Sequence, residues 1–210
     1  MPTAIPRVVL RDVSRDLYER VIAEVEDQPG KRFAYFDGAL EIMLASSGHE
    51  FLNRTLAQLG EVVALVTRRD LFRSGSTTFK RSDLHAGFEP DSSFYFEYAS
   101  VARGKEAIDL AVDPPPELLI EIDLSSNSLN KLPLFGALGI REVWRYSKQR
   151  VTILRLEGGR YGVIDKSIAL PPISAEAAER FLKASREVNS VAWDNAVREW
   201  VRSATSSRSS

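Results

Sequence analysis

The stretch PELLIEIDLSSNSLNK carries two carboxylates, Glu121 and Asp123, inside an apolar run, and a lysine, Lys131, just beyond it. A buried strand normally avoids charge, because removing an unpaired carboxylate from water is costly. Residues two apart on a strand project to the same side, so Glu121 and Asp123 call for one compensating partner. Upstream, Asp91 stands in FEPDSSFYF, between a loop and an aromatic strand, and Glu50 stands near the start of a long helical pattern. Carboxylates gathered at strand ends make an oxygen-rich pocket suited to a hard divalent cation, Mg²⁺ or Mn²⁺. A lysine beside such a pocket can orient a water or meet the charge of a phosphate. With no cysteine in the chain and only His49 and His85 as imidazoles, the set points to metal-assisted hydrolysis of a phosphodiester.

Each of these residues also has an ordinary structural reading. Asp91 could turn the loop after Pro90. Glu50 could be an acid favoured by the dipole at a helix start. Asp123 could cap the helix that follows, and Lys131 could lie on that helix's surface. Glu121 has the fewest such explanations. His49 and His85 read as structural, with His49 a candidate for supporting the site from behind. Phe94, Tyr95 and Phe96 read as sheet and core.

The chain has 210 residues, 44% hydrophobic and 27% charged, the composition of a soluble globular protein. That length implies one domain with a sizeable core, here expected over residues 1–202, with a disordered Ser-rich tail at 203–210. The absence of cysteine excludes disulfides and Cys-ligated metal sites. The first residues lack the apolar core of a signal peptide, and no apolar stretch reaches the ~18 residues of a membrane span. A cytoplasmic location is the expectation. Net charge is −1, from 28 basic and 29 acidic residues, which argues against strong sequence-independent binding of nucleic acid. The charge is unevenly spread. VTRRDLFRSGSTTFKR (66–81) holds five cations and one acid, whereas 86–125 holds nine acids and two cations. Arg73, Lys80 and Arg81 of the basic stretch are candidate substrate-binding residues.

Periodicity supplies the elements that must position these groups. Residues 14–26 have Leu17, Val21 and Val25 four apart, which predicts an amphipathic helix capped by Ser14. RFAYFDGALEIML predicts a hairpin turning at Asp37-Gly38. Leu52, Leu56, Leu59, Val63 and Val66 form the apolar stripe of the longest helix. LFRSGSTTFKR reads as one strand bent at Gly75, SSFYFEYA as a short strand, and SSNSLNKLPLFGALG as a helix capped by one of its serines. Three antiparallel strands over 142–165 and two helices over 174–202 complete the order. This is an α/β (α+β) chain with a central mixed sheet flanked by helices, preceded by a helix and a hairpin.

Pro90-Asp91 followed by Glu121-Ile122-Asp123 resembles the PD-(D/E)xK pattern of restriction-endonuclease-like nucleases. More specifically, the chain resembles the Uma-two family of bacterial endonucleases. The blocks that carry the likeness are YFDGALEIMLASSGHE, GSTTFKRSDLHAGFEPDSSFY, PELLIEIDLSSNSLNKLPLFGALGIREVWRYS and ALPPISAEAAERFL, over roughly residues 34–182. The resemblance implies a restriction-endonuclease-like fold and a Mg²⁺- or Mn²⁺-dependent endonuclease acting on DNA. It implies Asp91 and Glu121 as metal ligands, the Ile122 carbonyl as a third, and Glu50 as the acid of the first core helix. The pattern's usual lysine position is Asp123, an added candidate for the metal and the catalysis, so the lysine role passes to Lys131. By analogy such enzymes dimerise to cut two strands, which makes a homodimer the expectation. Two other readings stay open: a nuclease-fold protein that binds nucleic acid or a partner without cutting, and a metal-dependent phosphoesterase with another substrate.

Overall fold

The computed structural model of the chain describes residues 7–25, 31–81, 84, 86–124 and 129–206. His85 and residues 207–210 of the expected tail lie outside the described residues.

The hairpin at Asp37-Gly38 forms as expected. Strands β2 (Lys31–Phe36) and β3 (Ala39–Leu44) pair antiparallel, and both turn residues have positive φ, 49° and 73°. That is the conformation two-residue hairpins demand and Asp-Gly accepts. Strand β1 (Arg7–Leu10) adds to β3, and β5 (Phe79–Arg81) and β6 (Ala86–Phe88) complete a five-stranded sheet in the order β1-β3-β2-β6-β5. A second sheet of six strands runs β11-β10-β9-β8-β7-β4. Its members are β4 (Phe72–Arg73), β7 (Ser92–Tyr95), β8 (Leu118–Asp123), β9 (Glu142–Ser147), β10 (Arg150–Glu157) and β11 (Arg160–Ile164). It is mixed: β8 and β9 are parallel, and the other pairs are antiparallel.

The expected single strand over LFRSGSTTFKR is instead two short ones in different sheets. Gly75, at φ 58° with open space where a Cβ would sit, turns the chain from β4 to β5. Glycine reaches that region without steric cost, so the break falls there.

Helix α1 (Arg15–Val25) starts where Ser14 accepts the Leu17 amide, but its inward face is set one residue later than expected. Tyr18 and Ile22 are buried, and Leu17 is 42% exposed. The four-residue spacing fits either stripe; stacking of Tyr18 on Tyr35, with ring centroids 4.4 Å apart, selects the aromatic one. Helix α2 (Ser47–Val66) buries the expected stripe, with Leu56 and Val63 fully covered, and Ser46 caps it by accepting the His49 amide. After α3 (Ala99–Arg103), helix α4 (Leu132–Ala137) links β8 to β9. It is shorter than expected: Lys131 is its N-cap residue, Pro133 sits in its first turn, and the serines at 125, 126 and 128 lie outside the described residues. Helix α5 (Ala175–Ala184) precedes α6 (Ser190–Ser206), which continues through residues 203–206 of the expected tail. The Ser203, Thr205 and Ser206 hydroxyls donate to carbonyls three or four residues back, and Val201 is fully buried, so the last turn has its own support.

The two faces of β8 enter different cores. Leu118, Ile120 and Ile122 pack with α2, α5 and α6. Leu119 packs with Phe135 and Leu134 of α4 and with Phe79 and Phe88 of the five-stranded sheet. A third core joins α1 to the outer face of that sheet. Being buried on both sides explains the unbroken apolar run of β8. It also means that Glu121 and Asp123, which share the side of Leu119, face the other sheet.

Gly87 of β6 has no room for a side chain, because a Cβ there would overlap the Tyr18 hydroxyl and meet its ring carbon at 3.4 Å. Gly87→Ala is expected to lower stability by about 1–3 kcal/mol, the usual scale of overpacking. Tyr18→Phe should restore most of that loss in the double mutant. Urea midpoints of the four proteins check it, and purely additive effects would place the cost elsewhere.

Candidate functional site

The site begins with strand register. Ser92 lies opposite Ile120 at the end of the antiparallel pair β7–β8, and Asp91 is the residue just beyond the strand, near enough for its charge to act on Glu121. The Asp91 carboxylate is buried, and its Oδ2 accepts the Ile122 amide at 2.8 Å. Helix α2 holds it from behind. Asn53 donates to the Asp91 carbonyl at 3.0 Å and accepts from the Ser92 hydroxyl at 2.8 Å. His49 is 1% exposed and brings Nε2 to 3.2 Å from Asp91 Oδ2. That approach is off the hydrogen-bond line, and both ring nitrogens are buried without a hydrogen-bond partner. Burial pushes the Asp91 carboxyl up, but His49, the Lys131 charge and the Ile122 amide outweigh it and hold Asp91 below its usual pKa.

Glu121 has the opposite balance. Lys131 Nζ reaches its Oε2, while Oε1 is buried with no partner. Burial pushes this carboxyl up, Lys131 pulls it down, and the Asp91 and Glu41 charges push it up again, to about 7. Burial opposes the Lys131 charge too, yet Glu121, Asp91 and Glu41 together raise its pKa. One ammonium thus faces three carboxylates, and Glu121 is the group on which a proton offsets the excess.

Two other buried glutamates show how unusual that is. Glu117 accepts the amides of Phe96, Glu97 and Tyr98. Glu142 accepts from Trp144 Nε1, the Ser167 hydroxyl and the amides of Ile168 and Ala169. Both carboxylates are fully used in holding structure. Glu121 keeps an oxygen free.

Glu41 is the acid that the sequence reading passed over. It is 2% exposed on β3, accepts the Leu129 amide at 2.7 Å, and lies 3.4 Å from Arg7 Nη1 and 3.9 Å from Lys131 Nζ. Its signal was available: a lone carboxylate in ALEIML is the same anomaly that singles out Glu121. Asp123 turns to two guanidiniums, Arg145 at 2.8 Å and Arg7 at 3.5 Å. Glu50 is not brought to the cluster; it accepts from Arg54 at 2.8 Å on an exposed helix face, and its neighbour His49 is the inward residue.

The basic stretch is divided. Arg69 donates to the Ala169 carbonyl and stacks over Phe96, and Arg73 pairs with Glu61 at 2.9 Å. Arg81 donates to the Ala137 carbonyl, and Lys80 and Arg81 stand on β5, in the other sheet from Arg73.

An all-oxygen pair of neighbouring carboxylates with one orphaned buried oxygen fits a hard divalent cation. Among the described residues no three His, Asp or Glu side chains converge to enclose a metal. That is compatible with Mg²⁺, which keeps several waters and often takes only one or two carboxylates.

Two sheets and a crossover helix, with acids near neighbouring strand ends, make this an α+β protein. Residues 16–177 match the Uma2 family, described as “Putative restriction endonuclease”, and the chain belongs to that family. A crystal structure described as a “putative nuclease belonging to DUF820”, from Anabaena variabilis ATCC 29413, is similar at 15% identity and a TM-score of 0.48, covering 71% of this chain and 90% of that one. No curated protein matches. No helix among the described residues is long and apolar enough to cross a membrane.

The Glu121 shift has a consequence for the metal-free protein. Its folded pKa of about 7 lies above the ordinary 4.5, so between those values the folded state holds a proton that the unfolded state has lost. Stability from this group is therefore full below about pH 4.5 and falls as pH rises to about 7, by on the order of 3 kcal/mol. Glu121→Gln should flatten that slope. Urea midpoints in EDTA at pH 5 and pH 8 measure it, and an equal slope in both proteins would place the proton elsewhere.

Proposed function

We propose that the protein is a Mg²⁺- or Mn²⁺-dependent endonuclease hydrolysing phosphodiester bonds of DNA, working as a homodimer. The observation that carries this reading is the orphaned, buried Oε1 of Glu121 near Asp91. A structural carboxylate would be satisfied as Glu117 and Glu142 are; this one is arranged to receive a cation. Asp91 and Glu121 would hold it, with the Ile122 carbonyl between their strands. When bound, the cation supplies charge stabilisation at the phosphoryl group and makes water more acidic.

The chain's own residues do the rest. His49, the Lys131 charge and the Ile122 amide favour the ionised form of Asp91, and Asn53 holds its backbone. Lys131, the N-cap residue of α4, carries a fixed positive charge to Glu121, where it can orient the attacking water and hold charge near the phosphate. Glu41 and the buried walls keep that ammonium in one place.

The net charge of −1 and the internal engagement of Arg69, Arg73 and Arg81 favour a second reading, a phosphodiester substrate other than duplex DNA.

Supercoiled plasmid incubated with Mg²⁺ or Mn²⁺ tests both. Asp91→Ala should abolish nicking and weaken Mn²⁺ binding in calorimetry. Lys131→Ala should bind Mn²⁺ nearly as the wild type does and cut at least ~10²-fold more slowly. Nicking by Asp91→Ala at the wild-type rate would end the nuclease reading. Turnover of a chromogenic phosphodiester with an intact plasmid would select the second.

A further inference from the structure

Beside the acids lies a cationic pocket that the reading above does not use. It is a small open notch enclosing about 20 Å³, and its charged lining is Arg7, Lys131 and Arg145 against Glu121 and Asp123, a net of +1 in a chain of net −1. Arg7 is the telling residue. Its side chain is 5% exposed, and Nε is buried with no hydrogen-bond partner. Its Nη1 lies 3.4 Å from Glu41 and 3.5 Å from Asp123, and its Nη2 donates to the Met43 sulfur at 3.0 Å. Arg145 comes from β9, whose parallel register sets it beside Glu121, yet its Nη2 bonds Asp123 at 2.8 Å. The side chain of Arg145 remains 35% exposed, so the guanidinium is anchored at one edge and open at another.

We propose that Arg7 and Arg145, oriented by Asp123, form a phosphate-binding subsite for the backbone phosphate next to the one at Asp91 and Glu121. This rests on the proposed nuclease reading, and it gives Asp123 a positioning role in place of metal ligation. A planar guanidinium matches phosphate oxygens two at a time, and a carboxylate behind it fixes its plane at little entropic cost. The pocket's one aromatic, Phe135, is 1% exposed and offers no face for a base to stack on. The pocket is thus suited to phosphate and sugar, not to a nucleobase.

The test is binding of a fluorescent duplex oligonucleotide in EDTA across a salt series, with Mn²⁺ affinity measured separately by calorimetry. No step depends on turnover, so a protein that fails to cut can still pass. Arg145→Ala should weaken binding about tenfold or more and lower the salt slope by about one. Asp123→Asn is the sharper probe. It removes a negative charge, so a non-specific charge effect would tighten DNA binding, whereas loss of guanidinium orientation weakens it. Its Mn²⁺ affinity should stay within about twofold of wild type. Inorganic phosphate should compete with DNA on the wild type and lose that effect in Arg145→Ala; phosphate binding in calorimetry by a protein that binds no DNA would identify a free phosphate ligand and overturn the backbone assignment. The proposal also falls if Arg145→Ala binds DNA as the wild type does, if Asp123→Asn binds DNA more tightly, or if Asp123→Asn loses Mn²⁺. Thermal melts report folding, and Arg145→Ala, at a partly exposed position, carries the decision should Asp123→Asn prove unstable.

Discussion

The structure turns on a charge imbalance held out of water. Glu121, Asp91 and Glu41 are each at most 5% exposed, and one ammonium, Lys131, stands among them. A buried ion pair is weak evidence of stability, because desolvation offsets much of the attraction. A buried set with more carboxylates than cations is worse than neutral for folding. In a protein that satisfies Glu117 and Glu142 so completely, such a set is the feature that the proposed catalytic reading accounts for. The rest of the fold can be read as what that imbalance requires: a parallel strand pair buried on both faces, a long helix that pins Asp91, and a second sheet that supplies the remaining counter-charges.

That second sheet is more than a cover. Its inner face presents Arg7 and Glu41 to β8, and the chain of contacts from Arg145 through Asp123, Arg7 and Glu41 to Lys131 crosses from one sheet to the other. Apolar packing of Phe79 and Phe88 against Phe135 brings the sheets together, with ring centroids 5.0 Å apart between Phe88 and Phe135. The apolar contact is non-directional; the charges fix the register in which the sheets meet. Site geometry and inter-sheet packing are therefore one property of the molecule, and a change in either would be felt in the other.

How much of this was legible depended on the range of the interaction. The Asp37-Gly38 hairpin, the α2 stripe and the cap at Ser14 are local, and local pattern found them. Asp91, Glu121 and Lys131 stood out because an acid in an apolar run, and a cation near it, break the pattern. Glu41 breaks it equally, but its partners are Leu129 and Lys131, and no local rule links a hairpin strand to a segment 88 residues away. Arg7 and Arg145 were invisible for the same reason. Glu50 and His49 show a finer limit. Periodicity gives a helix face, but near a helix start it does not decide which of two adjacent polar residues turns inward; the short approach of α2 to Asp91 decides for His49. The basic stretch 66–81 was legible as charge and not as a surface, since the turn at Gly75 sends its two halves to different sheets.

The source of the lysine follows from the same geometry. On β8 the position two residues after Glu121 lies on the same side and would place a cation directly beside it, but Asp123 occupies that position and binds arginines instead. The ammonium must then come from another element, and the nearest chain is the approach to α4. A lysine at a short helix's N-cap has no side-chain cap of its own, so something else must fix the backbone there. Asn130 accepts the Leu132 amide at 3.3 Å, and Glu41 accepts the Leu129 amide two residues before Lys131, with the same carboxylate lying near the ammonium. A side chain from the far sheet thus helps set both where the lysine's backbone begins and where its charge ends. Moving the cation off the strand has made its placement a tertiary matter, dependent on two sheets meeting in one register.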